Sequence, residues 1–186
     1  LPCLLLALWF GPRQGRGLVA TRHPALQVTR ASLLLVCTAA GMTAVRTIPL
    51  AEATAILFVA PLLVPIAAGP LLGERVPRIA WIAPLVGFGG VLLIARPGAG
   101  FDPAGFALML LAAVSFAGYQ LLTRRLADVD RSLVTLFYTM TVGAVAMTLG
   151  LPLFWTSLTP PPLHLLLIAS LGVWGMLGHF LLISAF

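Results

Sequence analysis

EATAILFVAPLLVPIAAGPLL, residues 52–72, runs for 21 residues with a single charged side chain, Glu52, at its first position. A hydrocarbon core about 30 Å thick is crossed by about 20 helical residues. The stretch is therefore long enough to span a bilayer as a helix, and a helix satisfies its backbone hydrogen bonds within one segment, as lipid demands. A β-barrel would instead show strands of about ten residues alternating apolar and polar positions. Neither Leu108–Gly118 nor Val142–Leu153 alternates in that way.

Working outward, five more apolar stretches of similar length are predicted to span as helices: 31–50, 79–95, 104–123, 133–154 and 163–186. A shorter run, Leu1–Phe10, is too short to cross alone and is expected to be the truncated end of a longer helix. No charged leader precedes it, and the last residues, Ile183–Phe186, are still apolar, so both ends are expected to be cut. The predicted fold is an all-α polytopic membrane protein with six full transmembrane helices plus a partial one. Composition agrees: 60% of residues are hydrophobic and 9% charged, with a mean hydropathy of +1.07. Soluble domains carry about 25% charged residues. The connections are short and hold helix breakers, as in Gly98–Pro103 and Thr159–Pro162, so consecutive helices are expected to run antiparallel.

All 11 basic residues are arginines, and the net charge is +6. They interrupt apolar stretches rather than share one face with aromatics, which argues against nucleic-acid binding. Arg13, Arg16, Arg22 and Arg30 precede the 31–50 span. Arg75 and Arg78 follow 52–72, and Arg124, Arg125 and Arg131 follow 104–123. With alternating spans, these three connections lie on one side, which the positive-inside rule makes cytoplasmic. Arg46 and Arg96 fall towards the other side. Cys3 and Cys37 lie in apolar runs without metal-site spacing and read as buried small hydrophobes. No GxSxG, HExxH, P-loop or paired intramembrane carboxylate is present, so no catalytic set, metal or cofactor is expected.

Intramembrane polar residues are functional candidates by default. Arg46 and Glu52 flank the turn between the first two spans and read either as interfacial anchors or an ion pair, or as substrate or proton contacts. Glu74 and Arg75 end the second span, as a solvated helix end or an inner gate. Ser115 and Tyr119 share a helix face at i, i+4 spacing, with Gln120 beside them. They could line a cavity or bond to a neighbouring helix. His179 lies deep in the last span after Trp174 and reads as a packing or proton-relay residue. Pro61 and Pro65, with Pro70 and Pro84, are candidate helix hinges. Gly69–Gly73, a GxxxG, and the Gly87, Gly89, Gly90 cluster would permit close helix approach.

Glu52–Pro61, then Leu71–Arg75 with its Leu-Gly-Glu, then Gly87–Ile94 resembles the second half of an EamA repeat from the drug/metabolite transporter superfamily. Gly105–Arg125 resembles the opening helix of a second repeat, and Leu165–Phe186 its third. The resemblance implies ten helices in two inverted repeats around a central cavity. This chain would hold 1–97 of the first repeat, without its first helix, and 98–186 of the second, without its last two. It further implies a permease or exporter of a small metabolite or drug-like molecule working by alternating access, in a bacterial inner membrane. Ser115, Tyr119, Gln120, Trp174 and His179 would then be substrate-binding candidates, with Arg46, Glu52, Glu74 and Arg75 as gating or ion-pair candidates. The expected partners are membrane lipid and a small-molecule substrate, with homo-oligomerisation left open. A non-transporting membrane scaffold or subunit, or a membrane enzyme, is the alternative. No residue selects the substrate, the coupling ion or the direction of transport.

Overall fold

A computed structural model describes residues 21–73, 77–95, 102–154 and 161–184. These residues form α1 (Pro24–Ala44), α2 (Leu50–Leu57), α3 (Ala60–Leu72), a 3-10 turn (Arg78–Trp81), α4 (Ile82–Ala95), α5 (Pro103–Ala127), α6 (Ser132–Phe154) and α7 (Pro162–Ser184). Four segments among the described residues are long and apolar enough to cross a membrane: Pro24–Ala44, Leu50–Leu71, Pro103–Ala127 and Ser132–Gly150. The other two predicted stretches are occupied by the 3-10 turn with α4, and by α7. Leu1–Phe10, Glu74, Arg75, Arg96 and most of the two predicted links lie outside the described residues.

Two boundaries differ from the sequence expectation. The first helix begins at Pro24, not 31, and ends at Ala44, not 50. Proline suits the first turn of a helix, where its missing N–H has no partner to lose. The helix stops early because Pro49 disfavours the helical conformation at Ile48, leaving residues 45–49 as a turn. The 52–72 stretch is also not one regular helix. It breaks at Phe58–Val59 between α2 and α3, and Pro61 occupies the first turn of α3. A proline at 61 clashes with the carbonyl four residues earlier, which accounts for the break. Pro65 and Pro70 are tolerated inside α3.

The expected role of the glycines also changes. Gly73 ends α3 in the left-handed conformation, φ 69°, with its N–H bonded to the Gly69 carbonyl. It is a helix cap that only glycine adopts without strain. At Gly87, Gly89 and Gly90, an added Cβ would meet nothing within 4 Å among the described residues. Close approach occurs at Gly105 instead, where a Cβ would collide with Thr47 Oγ1 and lie 2.7 Å from Ile48 Cγ2.

The chain divides into two compact units, Leu33–Leu122 and Leu1–Ser32 with Thr123–Phe186. In the Leu33–Leu122 unit, Ala40, Ala44, Ile48 and Ala53 pack with Met109 and Ala112. A second cluster joins Ala60 to Ala113 and Ala117. Between helices in lipid, small residues allow the close van der Waals packing that replaces a hydrophobic driving force. In the same unit α2 and α3 pack on α4. In the other unit α6 packs on α7.

Asp102 starts α5 as its cap. Its carboxylate accepts from the N–H groups of Ala104 at 3.2 Å and Gly105 at 3.0 Å. The Thr47 hydroxyl and these backbone donors hold the Asp102 carboxyl below its ordinary value. A depressed carboxylate contributes stability above its unfolded pKa and loses it as pH falls through the folded one. The melting temperature is therefore expected to fall on acidification below the ordinary carboxylate range, and this component is expected to vanish in Asp102→Asn. Gly105→Ala is expected to destabilise the same corner by about 1–3 kcal/mol, because the Cβ has no room against Thr47 and Ile48. Thermal unfolding of the two variants beside wild type checks both expectations.

Candidate functional site

Among the described residues, the most deeply buried polar side chains gather where α1 meets the end of α5 and the start of α6, all within one compact unit. Pro24 starts α1 early enough that Gln27 and Arg30 fall inside the helix. Their i, i+3 spacing places both on one face, and both are 0% exposed. On α6, Thr135 and Thr139 share a face at i, i+4, and both are buried. Thr123, near the end of α5, is buried too.

Arg30 is the centre of this cluster. Its guanidinium donates to Thr123 Oγ1 at 3.0 Å, to the Thr135 carbonyl at 2.8 Å, and to Thr139 Oγ1. Thr139 Oγ1 in turn donates to the Thr135 carbonyl at 2.8 Å. A planar guanidinium suits this arrangement because its donors form a fixed fork that can reach acceptors on two helices at once. Each hydrogen bond from a charged donor stabilises by about 1.5–3 kcal/mol net. Together they offset the cost of holding a cation inside a membrane-capable helix, about 2.5–3.5 kcal/mol on insertion scales at the bilayer centre.

A second set of bonds continues from Gln27. Its Nε2 donates to Asp130 Oδ2 at 2.7 Å and to Thr135 Oγ1 at 3.1 Å. Thr21 Oγ1 also donates to Asp130 Oδ2, at 2.5 Å. The amide orientation follows from chemistry, since a carboxylate only accepts. Gln27 Oε1 is buried and has no hydrogen-bond partner among the described residues. The cluster thus ties the start of α1 to both helices of the α5–α6 hairpin and to the turn between them. Arg22, Arg124, Arg125 and Arg131 around it are exposed.

Arg30 corrects the sequence expectation: it lies inside α1 and is buried, not in a connection before the first span as an orientation signal. The signal for its burial was present in Pro24 at the helix start and the shared face of Gln27 and Arg30. Of the residues singled out, Ser115 and Tyr119 are both buried on α5, at 3% and 0% exposure. The Tyr119 ring stacks on Phe116, with centroids 6.0 Å apart. Gln120 is half-buried. Trp174 on α7 is 71% exposed. His179 also lies on α7, and its side chain is outside the described residues. Arg46 is exposed in the 45–49 turn, and half-buried Glu52 lies in the first turn of α2, where the helix dipole favours a carboxylate. No group of three metal-ligating side chains occurs among the described residues.

Comparison with known proteins gives one class, small-metabolite transporters. The chain is 31% identical over 173 residues to the S-adenosylmethionine uptake transporter of Rickettsia bellii, covering 92% of the chain and 58% of that protein. It is 32% identical over 158 residues to the pseudopaline exporter CntI of Pseudomonas aeruginosa, covering 83% and 54%. It is 30% identical over 129 residues to the riboflavin transporter of Rhizobium johnstonii, covering 68% and 42%. The chain thus spans about half the length of the curated relatives it matches. No family model matches it, and no solved structure does. With four membrane-capable helices and bacterial relatives that are transporters rather than enzymes, the chain is an integral protein of a bacterial inner membrane.

Proposed function

We propose that this chain is part of a carrier that moves a small metabolite across the inner membrane by alternating access. The observation that carries this reading is Arg30. A fully buried arginine inside a span apolar enough to cross lipid is held there only by its bonds across three helices, and such residues mark substrate pathways or moving parts. Similarity to proteins named for uptake of S-adenosylmethionine, export of pseudopaline and transport of riboflavin supports the same class. Within it, we assign the chain to the EamA type of the drug/metabolite transporter superfamily. It would hold parts of two inverted five-helix repeats, 1–97 and 98–186, of a ten-helix fold. The break at Phe58–Val59 before Pro61, and the prolines inside α3, supply the irregular backbone at which such folds bend. Ser115, Tyr119 and Gln120 are the substrate-facing candidates on α5, with Trp174 and His179 on α7. Arg46, Glu52, Glu74 and Arg75 are gating candidates.

The test is uptake by the full-length protein in proteoliposomes, over a panel of amino-acid-derived, nucleoside-like and flavin compounds. Saturable uptake of at least one compound is expected. Tyr119→Phe is expected to raise KM several-fold while staying within about 1.5 kcal/mol of wild type in stability. Absence of uptake for the whole panel by folded protein would favour a non-transporting scaffold.

A further inference from the structure

We propose that Arg30, Gln27, Asp130, Thr123, Thr135 and Thr139 form a latch that closes the arginine-rich face of the membrane and must open during transport. The proposal rests on the carrier reading and adds to it a gate separate from the Arg46, Glu52, Glu74 and Arg75 set.

The latch lies at one membrane face. Its members occupy the first turns of α1, the end of α5, the start of α6 and the α5–α6 turn, and exposed Arg22, Arg124, Arg125 and Arg131 surround it. Positive-inside placement makes this the cytoplasmic face. In the structure it is closed, since Gln27, Arg30, Ala31, Thr123, Val134 and Thr135 are all buried.

Its bonds are of a kind that can be released. Thr139 keeps its hydrogen bond to the Thr135 carbonyl of its own helix when Arg30 withdraws. Thr123 can turn its hydroxyl to a helix carbonyl in the same way. Arg30 lies six residues after Pro24, or about 9 Å along the helix axis, so its side chain can extend to the headgroup region and regain water. Gln27 Oε1, without a partner in the closed arrangement, gains one when water enters. Opening therefore leaves each released polar group with a partner, whereas separating the alanine-packed helices of the other unit would lose van der Waals contact with nothing regained. A packing device built only for stability has no need of a cation at its centre, since an apolar side chain of similar volume stabilises as well or better.

The test measures opening directly in the full-length protein reconstituted in vesicles. With every native cysteine of the full-length protein, Cys3 and Cys37 among them, replaced by alanine, Ala31→Cys is probed with a membrane-impermeant maleimide applied to the arginine-rich face. Ala31 is 3% exposed beside Arg30, so labelling is expected to be slow. Thr139→Val is expected to speed it about tenfold, the population change that follows loss of one hydrogen bond to a charged group. Thr139→Ser is expected to restore the slow rate. Thr148→Val, which removes only a bond within α6, serves as the control and is expected to leave the rate unchanged. Unchanged labelling in folded Thr139→Val protein would overturn the latch, whatever the flux. Equal acceleration by Thr148→Val would also overturn it, because general loosening would then be the cause. Faster labelling with uptake absent in wild type would overturn the carrier reading and with it the gating role.

Discussion

Replacing Arg30 with alanine is expected to destabilise the full-length protein by about 3–4 kcal/mol, through lost charged hydrogen bonds and the cavity left by a long buried side chain. The melting temperature should fall measurably with it. The acceptors Thr123 Oγ1, Thr135 O and Thr139 Oγ1 lose a common donor in one step. Lysine is expected to recover only part of the loss, because an ammonium is a point charge that cannot hold the same spread of acceptors. Methionine provides the informative contrast. It fills the volume and removes the cost of burying the cation, so Arg30→Met is expected within about 1 kcal/mol of wild type. Thermal unfolding in detergent ranks the three variants. If Arg30→Met is as stable as wild type yet slow in uptake, arginine is retained for movement rather than for folding. A methionine variant as unstable as the alanine one would show that the hydrogen bonds themselves hold the unit together.

Tyr119→Ala is expected to be of similar size, about 3–5 kcal/mol, the range for removing a large buried aromatic side chain. Tyr119 is 0% exposed, and its ring stacks on Phe116 at an interplanar angle of 13°. Truncation leaves both a cavity and an unsupported neighbour. Tyr119→Phe keeps the ring and the stacking and is expected to stay within about 1.5 kcal/mol of wild type. The pair separates two roles for this position. Loss of uptake only in Tyr119→Ala, in step with its melting temperature, would mark Tyr119 as a packing residue. Loss of affinity in the stable phenylalanine variant would place its hydroxyl on the substrate path.

How much of this was legible in the sequence differs by element. Residues 104–123, 133–154 and 163–186 anticipated α5, α6 and α7 closely, because long apolar runs bounded by proline and arginine leave little freedom in lipid. For the first helix, the apolar pattern starts and ends six or seven residues late. Hydropathy alone starts a span after the last charge, whereas Pro24 starts it before Arg30. That displacement hid the cluster, since an arginine in a loop and an arginine in a helix read alike until a partner face is known. The partner face, Thr135 and Thr139, is a pair of threonines with no signal of its own. Gly73 is ambiguous for a similar reason: the GxxxG spacing is shared by a packing motif and by a helix that ends on its second glycine. The burial of Ser115 and Tyr119 follows from their i, i+4 spacing on the helix that also carries Ala112, Ala113 and Ala117.

Counterflow tests the central claim most directly. Full-length protein in proteoliposomes is preloaded with an unlabelled panel compound, and entry of the same labelled compound is followed against empty-loaded vesicles. An alternating-access carrier is expected to show entry accelerated by the compound inside, with a transient overshoot that saturates as outside concentration rises. Entry that is linear in concentration and indifferent to preloading would contradict the account, because a site exposed to one side at a time cannot behave in that way.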